Sequence, residues 1–140
     1  MSAVHATTVA IGDRGVMLVG PSGAGKSDLA LRLIDRGAML VSDDYTQVAA
    51  LDGVLIATPP ATIAGRMEIR GIGIVAMPFT PSITVRMVVS LGDEVDRMPS
   101  PSWRTIADQR VRAIVIDPRA ASAAIKVEHA LAQVLAGYRA

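Results

Sequence analysis

The most constraining feature of the sequence is a glycine-rich octapeptide near its amino terminus. Residues 20–27 read GPSGAGKS and match the pattern G-x-x-x-x-G-K-[ST], in which backbone N–H groups wrap closely around phosphate oxygens. Glycines are needed because a side chain would obstruct that wrapping. Phosphate binding by such a loop requires a strand before it and a helix after it, since the helix N-terminus presents positive partial charge to an anion. The chain is therefore predicted to bind phosphates on an α/β fold.

Each position of the loop contributes to this prediction. Lys26 is expected to reach the terminal phosphates of a nucleotide, and Ser27 is expected to ligate the magnesium ion that accompanies it. The residues predicted to surround the phosphates are Gly20, Pro21, Ser22, Gly23, Ala24, Gly25, Lys26 and Ser27.

Length and composition limit the remaining possibilities. The 140 residues, of which 51% are hydrophobic, suffice for one domain with a substantial core, so residues 1–140 are predicted to form a single domain. A net charge of +1 with scattered basic residues favours neither a nucleic-acid surface nor a membrane-binding patch. No cysteine and no 18-residue apolar stretch occur, so the expected location is the cytoplasm.

Hydrophobic periodicity and turn residues predict alternating strands and helices. Gly37 follows a helical pattern, where a left-handed C-terminal cap is expected. The Asp52-Gly53 pair indicates a hairpin, and residues 71–81 are predicted to include a mobile loop. Helices are predicted at 27–36 and 120–138, and strands at 4–11, 16–19, 38–41, 47–51, 54–58, 66–69, 83–91 and 113–116.

Several ionisable residues outside the loop have both a functional and a plain interpretation. Asp43 and Asp44 follow an apolar strand, and carboxylates at such a strand end can hold magnesium or accept a proton. An isolated Asp-Asp pair is more often a helix cap or a turn. By spacing alone, Glu68 would be one of a solvated charge pair, His5 a surface histidine, and Arg97 an ordinary arginine.

Taken together, these residues resemble the catalytic domain of HPr kinase/phosphorylase, and especially its short alphaproteobacterial forms without an N-terminal domain. The resemblance covers nearly the whole chain. Its most distinctive part is MEIRGIGI at residues 67–74, whereas the phosphate loop alone fits many unrelated ATPases. The other segments that carry it are His5, GPSGAGKS at 20–27, RGAMLVSDD at 36–44 and VDRMP at 95–99.

The resemblance implies an ATP- and magnesium-dependent kinase that phosphorylates a serine of the phosphocarrier HPr or a paralogue. It implies a P-loop core like that of phosphoenolpyruvate carboxykinase, with a mixed sheet, flanking helices and assembly into a homo-hexamer. Lys26 would contact the phosphates, while Ser27 and Glu68 would hold the metal, supported by Asp43. Asp44 would accept the serine proton, and His5 and Arg97 would complete the catalytic set.

The sequence departs from this family at two places and leaves alternatives open. Residues 74–76 are apolar where longer members usually carry an acidic or amide residue, and residues 117–119 are the nearest counterpart of the segment linked to phosphorolysis. The rival enzyme is a small-molecule kinase or ATPase, whose arginine-bearing lid would use the loose cluster Arg104, Arg110 and Arg112. The rival binding protein is a regulatory module that binds nucleotide without transferring its phosphate.

Overall fold

A computed structural model describes residues 2–137 and places a mixed β-sheet against two helices. Neither helix in this part of the chain is long and apolar enough to cross a membrane. The helices are α1 (Lys26–Asp35) and α2 (Ala123–Leu135). The strands are β1 (Ser2–Ile11), β2 (Arg14–Val19), β3 (Met39–Ser42), β4 (Tyr45–Leu51), β5 (Val54–Thr58), β6 (Arg66–Ile69), β7 (Gly73–Ala76), β8 (Ile83–Leu91), β9 (Ser102–Ile106) and β10 (Gln109–Ile116).

Strand β1 organises the sheet because it pairs with three neighbours. It forms an antiparallel hairpin with β2 on one edge, and on its other edge it pairs first with β4 and then with β3. Strand β8 lies parallel to both β2 and β10, and its first residues pair with β5. The carboxyl ends of β2, β8 and β10 therefore lie along one edge of the sheet, which is where ligands bind in open α/β folds.

Two hydrophobic clusters fill the two faces of this sheet. The alternation of β2 sends Val16 and Leu18 into one cluster and Met17 and Val19 into the other. The first cluster also contains the apolar sides of both helices, including Leu33 of α1. Because aromatic residues make up only 3% of the chain, aliphatic side chains and methionines provide most of this packing.

The predicted fold class is confirmed, and most predicted elements are present with small shifts at their ends. Helix α1 ends at Asp35, and Gly37 follows it with φ of 113°, as the left-handed cap requires. The N–H group of Gly37 donates to the carbonyl of Ile34 at 3.0 Å. This turn reverses the chain into β3, whose carboxyl end returns to the edge of the sheet where the phosphate loop begins.

Three predictions about elements were wrong or incomplete. Part of the expected mobile loop at 71–81 is strand β7, which pairs with β6 in a separate hairpin. Strand β9 was missed because its sequence, SWRTI, is almost wholly exposed and lacks an apolar alternation. Helix α2 starts at Ala123, after a turn in which its N–H group bonds to the carbonyl of Ala120. Its expected end at residue 138 lies outside the described residues.

Candidate active site

Strand pairing brings the predicted functional segments together at one edge of the sheet. The phosphate loop follows β2, and Asp43 and Asp44 follow β3. Strand β1 runs between β2 and β3 in the opposite direction, so its early residues, His5 and Thr7, lie beside these two strand ends. Residues far apart in the sequence thus meet because antiparallel pairing aligns the start of one strand with the ends of its neighbours.

The loop adopts a backbone that depends on glycine. Gly23 and Gly25 have φ values of 81° and 104°, in the left-handed region that residues with a side chain rarely adopt. Within residues 2–137, neither N–H group of these two glycines donates to another part of the chain. These donors, together with the N-terminus of α1 that starts immediately afterwards, form a fitting cradle for phosphate oxygens.

Lys26 is folded onto the loop rather than extended into solvent. Its Nζ atom donates to the carbonyl oxygens of Gly20 at 2.8 Å and Pro21 at 3.0 Å, and the residue is only 6% exposed. These contacts hold the ammonium group in the concave side of the loop. A bound phosphate would meet a positive charge that is already in place, which limits the ordering cost of binding.

Asp43 is the centre of a hydrogen-bond network that links four elements of the site. Its Oδ1 atom accepts from Ser27 Oγ at 2.6 Å and from Thr7 Oγ1 at 3.1 Å. Its Oδ2 atom accepts from the N–H group of Glu68 at 3.0 Å, and the residue is 5% exposed. Asp43 therefore fixes β1, β3, α1 and β6 relative to one another. Thr7 was not identified from sequence, although its two-residue spacing from His5 places both on one face of β1.

The chemistry of this network fits a magnesium ion. Magnesium prefers hard oxygen ligands and is commonly held by a hydroxyl or one or two carboxylates together with substrate phosphates. Ser27 and Asp43 already share a hydrogen bond, and Ser27 and Glu68 both line a cavity beside the phosphate loop. Among the described residues, no group of three or more acidic, histidine or cysteine side chains is arranged to hold a metal ion. The hydroxyl and carboxylate oxygens of Ser27, Asp43 and Glu68 are of the type that magnesium prefers when it also contacts phosphate.

Asp44 differs from Asp43 because its side chain is 63% exposed and lines the cavity. His5 Nε2 lies 3.1 Å from Asp44 Oδ1, and the His5 ring stacks on Tyr45 with ring centroids 5.1 Å apart. The backbone of Asp44 has φ of 69°, and its N–H group donates to Thr7 Oγ1 at 3.2 Å. These contacts hold one exposed carboxylate in a fixed direction, with Tyr45 in a supporting role that the sequence did not indicate.

The β6–β7 hairpin supplies the other side of the cavity. Glu68, Ile69 and Arg70 line it from the hairpin, and Met67 anchors the hairpin by packing in the first hydrophobic cluster with no exposed surface. The cavity has a volume of about 480 Å³, which lies within the range of small-ligand sites. The other residues that line it are His5, Ser22, Gly23, Gly25, Lys26, Ser27, Asp28, Leu31 and Asp44.

A second loop, between β10 and α2, packs beside the phosphate loop. Arg32 of α1 donates to the carbonyl oxygens of Pro118 at 2.6 Å and Ala120 at 3.3 Å, which ties this loop to the helix. Hydrogen bonds from the side chain and backbone of Arg119 hold the pKa of Asp117 below its usual value. Residues 117–119, predicted above to be the nearest counterpart of the family's phosphorolysis segment, thus contain an ion pair, and Arg119 also lies 3.8 Å from Asp93.

The structure brings all but one of the predicted catalytic and metal-binding residues to a single site. Arg97 lies in the exposed segment 92–101 that follows β8, and it is not among the residues that line the cavity. That segment follows Leu91, the last residue of β8, which lies beside the start of the phosphate loop. A Cβ atom built on Gly20 would lie 3.5 Å from the Cβ atom of Leu91. The role of Arg97 therefore stays a prediction.

Comparison with known proteins agrees with this geometry. Residues 1–98, which include the phosphate loop, the two aspartates and the hairpin, match the family described as HPr Serine kinase C-terminal domain. The chain belongs to this family. The HPr kinase/phosphorylase of Clostridium novyi is 43% identical over 75 residues, and that of Clostridium tetani is 40% identical over 75 residues.

The similarity to these HPr kinase/phosphorylases is confined to part of their length. The matched region covers 54% of this chain and 24–25% of the two clostridial proteins, so the chain matches about a quarter of each relative. A solved structure of the HPr(Ser) kinase/phosphatase from Coxiella burnetii superposes on this chain with a TM-score of 0.81 and 26% identity. That superposition covers 95% of this chain and 89% of the other, so the structural similarity extends beyond residue 98, where the family match ends.

Proposed function

We propose that this protein is a cytoplasmic protein serine kinase that transfers the γ-phosphoryl group of ATP to the phosphocarrier HPr or a paralogue. One observation carries the proposal: Lys26, which follows the carboxyl end of β2, and the exposed Asp44, which follows the carboxyl end of β3, line the same cavity. A nucleotide bound at the loop would direct its terminal phosphate toward the Asp44 carboxylate. A serine hydroxyl entering beside Asp44 would then lie between a proton acceptor and the phosphorus atom.

The transfer step follows from these positions. The serine Oγ attacks the γ-phosphorus, and the bond from that phosphorus to the β–γ bridging oxygen breaks, so ADP leaves with the bonding electrons. Asp44 accepts the hydroxyl proton, while His5 keeps the Asp44 carboxylate oriented through the 3.1 Å contact between Nε2 and Oδ1. Lys26 and the loop N–H groups stabilise the negative charge on the phosphate oxygens.

Magnesium is part of the proposed reaction as the partner of ATP. Ser27, Asp43 and Glu68 would hold the ion, which when bound would neutralise charge on the phosphates. Asp43 supports this role because its hydrogen bond to Ser27 and its contact with the Glu68 backbone keep both residues at the cavity. Removal of divalent cations with a chelator is accordingly expected to stop transfer.

The reverse activity uses the same carboxyl group. In phosphorolysis, inorganic phosphate attacks the phosphoserine phosphorus, the bond to the serine oxygen breaks, and protonated Asp44 donates its proton to the departing oxygen, which releases pyrophosphate. The names of the relatives include this phosphorylase activity.

We further propose a homo-hexamer as the working assembly, in which a neighbouring subunit helps to present the phosphocarrier.

A direct assay tests the kinase proposal. Purified protein is incubated with ATP, magnesium and the HPr protein of the same organism, and the carrier is analysed by mass spectrometry for a gain of one phosphoryl group on serine. The Lys26→Ala variant serves as the control for loop-dependent transfer. Rapid ATP turnover without a protein acceptor would instead favour the small-molecule kinase or ATPase. Tight binding of ATP and carrier without transfer would favour the regulatory module.

Arg97 gives a prediction that separates binding from transfer. We expect Arg97→Ala to lower the single-turnover rate about 10²-fold, because an arginine that compensates charge only during transfer acts on the transition state. The ATP dissociation constant should stay within about twofold of the wild type, since Arg97 does not line the cavity. Arg104→Ala, which removes another exposed arginine, is the matched control. An unchanged rate for Arg97→Ala would remove this residue from the mechanism.

A further inference from the structure

A buried threonine of β1 connects the two aspartates of the candidate active site. Thr7 is fully buried, and its Oγ1 atom lies 3.1 Å from Asp43 Oδ1 and 3.2 Å from the backbone nitrogen of Asp44. A backbone N–H group can only donate, so the Thr7 oxygen accepts from Asp44, and its single hydrogen atom is donated to Asp43. One hydroxyl group therefore contacts two residues to which the proposed function gives different tasks.

The backbone conformation of Asp44 is held by contacts from β1. Its φ of 69° lies in the left-handed region, which residues with a side chain adopt infrequently. The Asp44 carbonyl accepts from the N–H group of Ala6 at 3.0 Å, and the Asp44 N–H group donates to Thr7 Oγ1. The side chain itself is largely exposed and contacts His5. Burial therefore does not orient this carboxylate, and its direction depends on His5 and on the backbone that β1 holds.

Asp43 depends less on Thr7 than Asp44 does. The Asp43 carboxylate also accepts from Ser27 Oγ and from the N–H group of Glu68, so it keeps two donors if the Thr7 hydroxyl is removed. The Asp44 N–H group, in contrast, loses the acceptor that Thr7 provides, and an N–H group without an acceptor is costly away from water. Removal of the hydroxyl is therefore expected to disturb Asp44 more than Asp43.

We propose that Thr7 is a positioning residue for phosphoryl transfer. Its hydroxyl group fixes Asp44, the proton acceptor, relative to Asp43, which supports the metal ion. Thr7 is not among the residues that line the cavity, so it acts through the aspartates and not on the substrate. Placement of this kind raises the rate because the reacting groups are already oriented when the substrate binds. The inference rests on the proposed kinase function.

The next residue of β1 provides a matched control. Thr8 is also fully buried, and its Oγ1 atom lies 2.8 Å from Thr46 Oγ1. Thr7 and Thr8 point to opposite faces of the sheet, because successive side chains alternate along a strand. Valine has the shape of threonine and suits a strand, so Thr7→Val and Thr8→Val each remove one buried hydroxyl group. A purely structural role predicts similar effects of the two substitutions on transfer.

Single-turnover transfer from ATP to HPr distinguishes the two variants. Thr7→Val is expected to lower the transfer rate about tenfold, the contribution of one hydrogen bond to the barrier. Its ATP dissociation constant should stay within about twofold of the wild type, since Ser27 remains bonded to Asp43. Thr8→Val should transfer at nearly the wild-type rate. Equal losses in the two variants, or no loss in Thr7→Val, would overturn the inference.

A double variant identifies the residue through which Thr7 acts. In the Asp44→Asn background, Thr7→Val should lower the transfer rate by less than a further factor of about two, because substitutions that act through one group are not additive. A further loss of about tenfold would show that Thr7 does not act through the Asp44 carboxylate. That result would contradict the proposed positioning role.

Amide hydrogen exchange tests the same contact without an activity assay. The Asp44 N–H group should exchange at least about tenfold faster in Thr7→Val than in the wild type or in Thr8→Val, because its acceptor is lost. Thr7→Ser keeps the hydroxyl group, so it should retain both the transfer rate and the slow exchange, and this test does not require Thr7→Val to fold. Unchanged exchange in Thr7→Val, or fast exchange in Thr7→Ser, would overturn the inference. Absence of transfer by the wild-type chain would instead contradict the proposed function.

Discussion

Replacing Asp44 by asparagine is expected to slow phosphoryl transfer to the carrier by about 10²- to 10⁴-fold, the usual contribution of a positioned proton acceptor. Asparagine preserves the size of the side chain and an oxygen that can face His5, but it cannot accept the serine proton. It also tolerates the left-handed backbone at this position, where φ is 69°. The substitution therefore removes one chemical function with little structural change. Single-turnover transfer from ATP to HPr measures the effect.

A matched control exists in the same chain. Asp52 also has a left-handed backbone, with φ of 52°, but it lies in the β4–β5 turn and does not line the cavity. Asp52→Asn should transfer phosphate at the wild-type rate, and both variants should bind ATP normally. A rate for Asp44→Asn within twofold of the wild type would show that another group accepts the proton.

The second large effect is expected for Asp43→Ala, which should lower the free energy of unfolding by about 2–4 kcal/mol. The reason is that three donors lose their acceptor together: Ser27 Oγ, Thr7 Oγ1 and the N–H group of Glu68. Thr7 is fully buried, so its hydroxyl cannot be satisfied by bulk water. Chemical denaturation measures the change, and transfer activity should also fall because Ser27 loses its orientation.

A graded series tests this explanation of the Asp43 network. Asp43→Asn keeps one oxygen acceptor but places an amide N–H group opposite the Glu68 N–H group, so its loss of stability should be intermediate. Asp13→Ala removes an aspartate whose side chain is 86% exposed, and it should change stability by less than about 0.5 kcal/mol. If Asp43→Ala were as stable as Asp13→Ala, the network would not contribute to folding.

The fold was largely predictable where local sequence and tertiary environment agree. The β4–β5 hairpin follows from Asp52-Gly53, and α1 follows from its apolar spacing and from Gly37. Strand β9 was not predictable because its side chains are exposed and its stability comes from pairing with β10. The hairpin of β6 and β7 was only half recognised, since Gly71 and Gly73 resemble loop residues although they serve a tight turn.

The candidate site also contains residues that local sequence predicts and residues whose environment only the fold decides. Roles for Lys26 and Ser27 could be predicted from the loop alone, because the motif specifies both the backbone path and the side chains that are expected to meet phosphate. The different environments of Asp43 and Asp44 could not be assigned by local chemistry, since adjacent aspartates are equivalent until folding buries one of them. In the structure one is 5% exposed and accepts three hydrogen bonds, while the other faces the cavity beside His5.

The sequence by itself determined that a glycine-rich loop joins a strand to a helix, because that geometry depends on glycines that are close together in the chain, and it predicted that this loop binds phosphate. Its resemblance to a kinase family indicated which distant residues to consider. Only the tertiary structure decided that His5, Thr7, Asp43 and Glu68 lie in one hydrogen-bond network and that the Arg110 guanidinium lies over the Trp103 ring. Strand pairing sets such distances, and it depends on contacts between residues that are far apart in sequence.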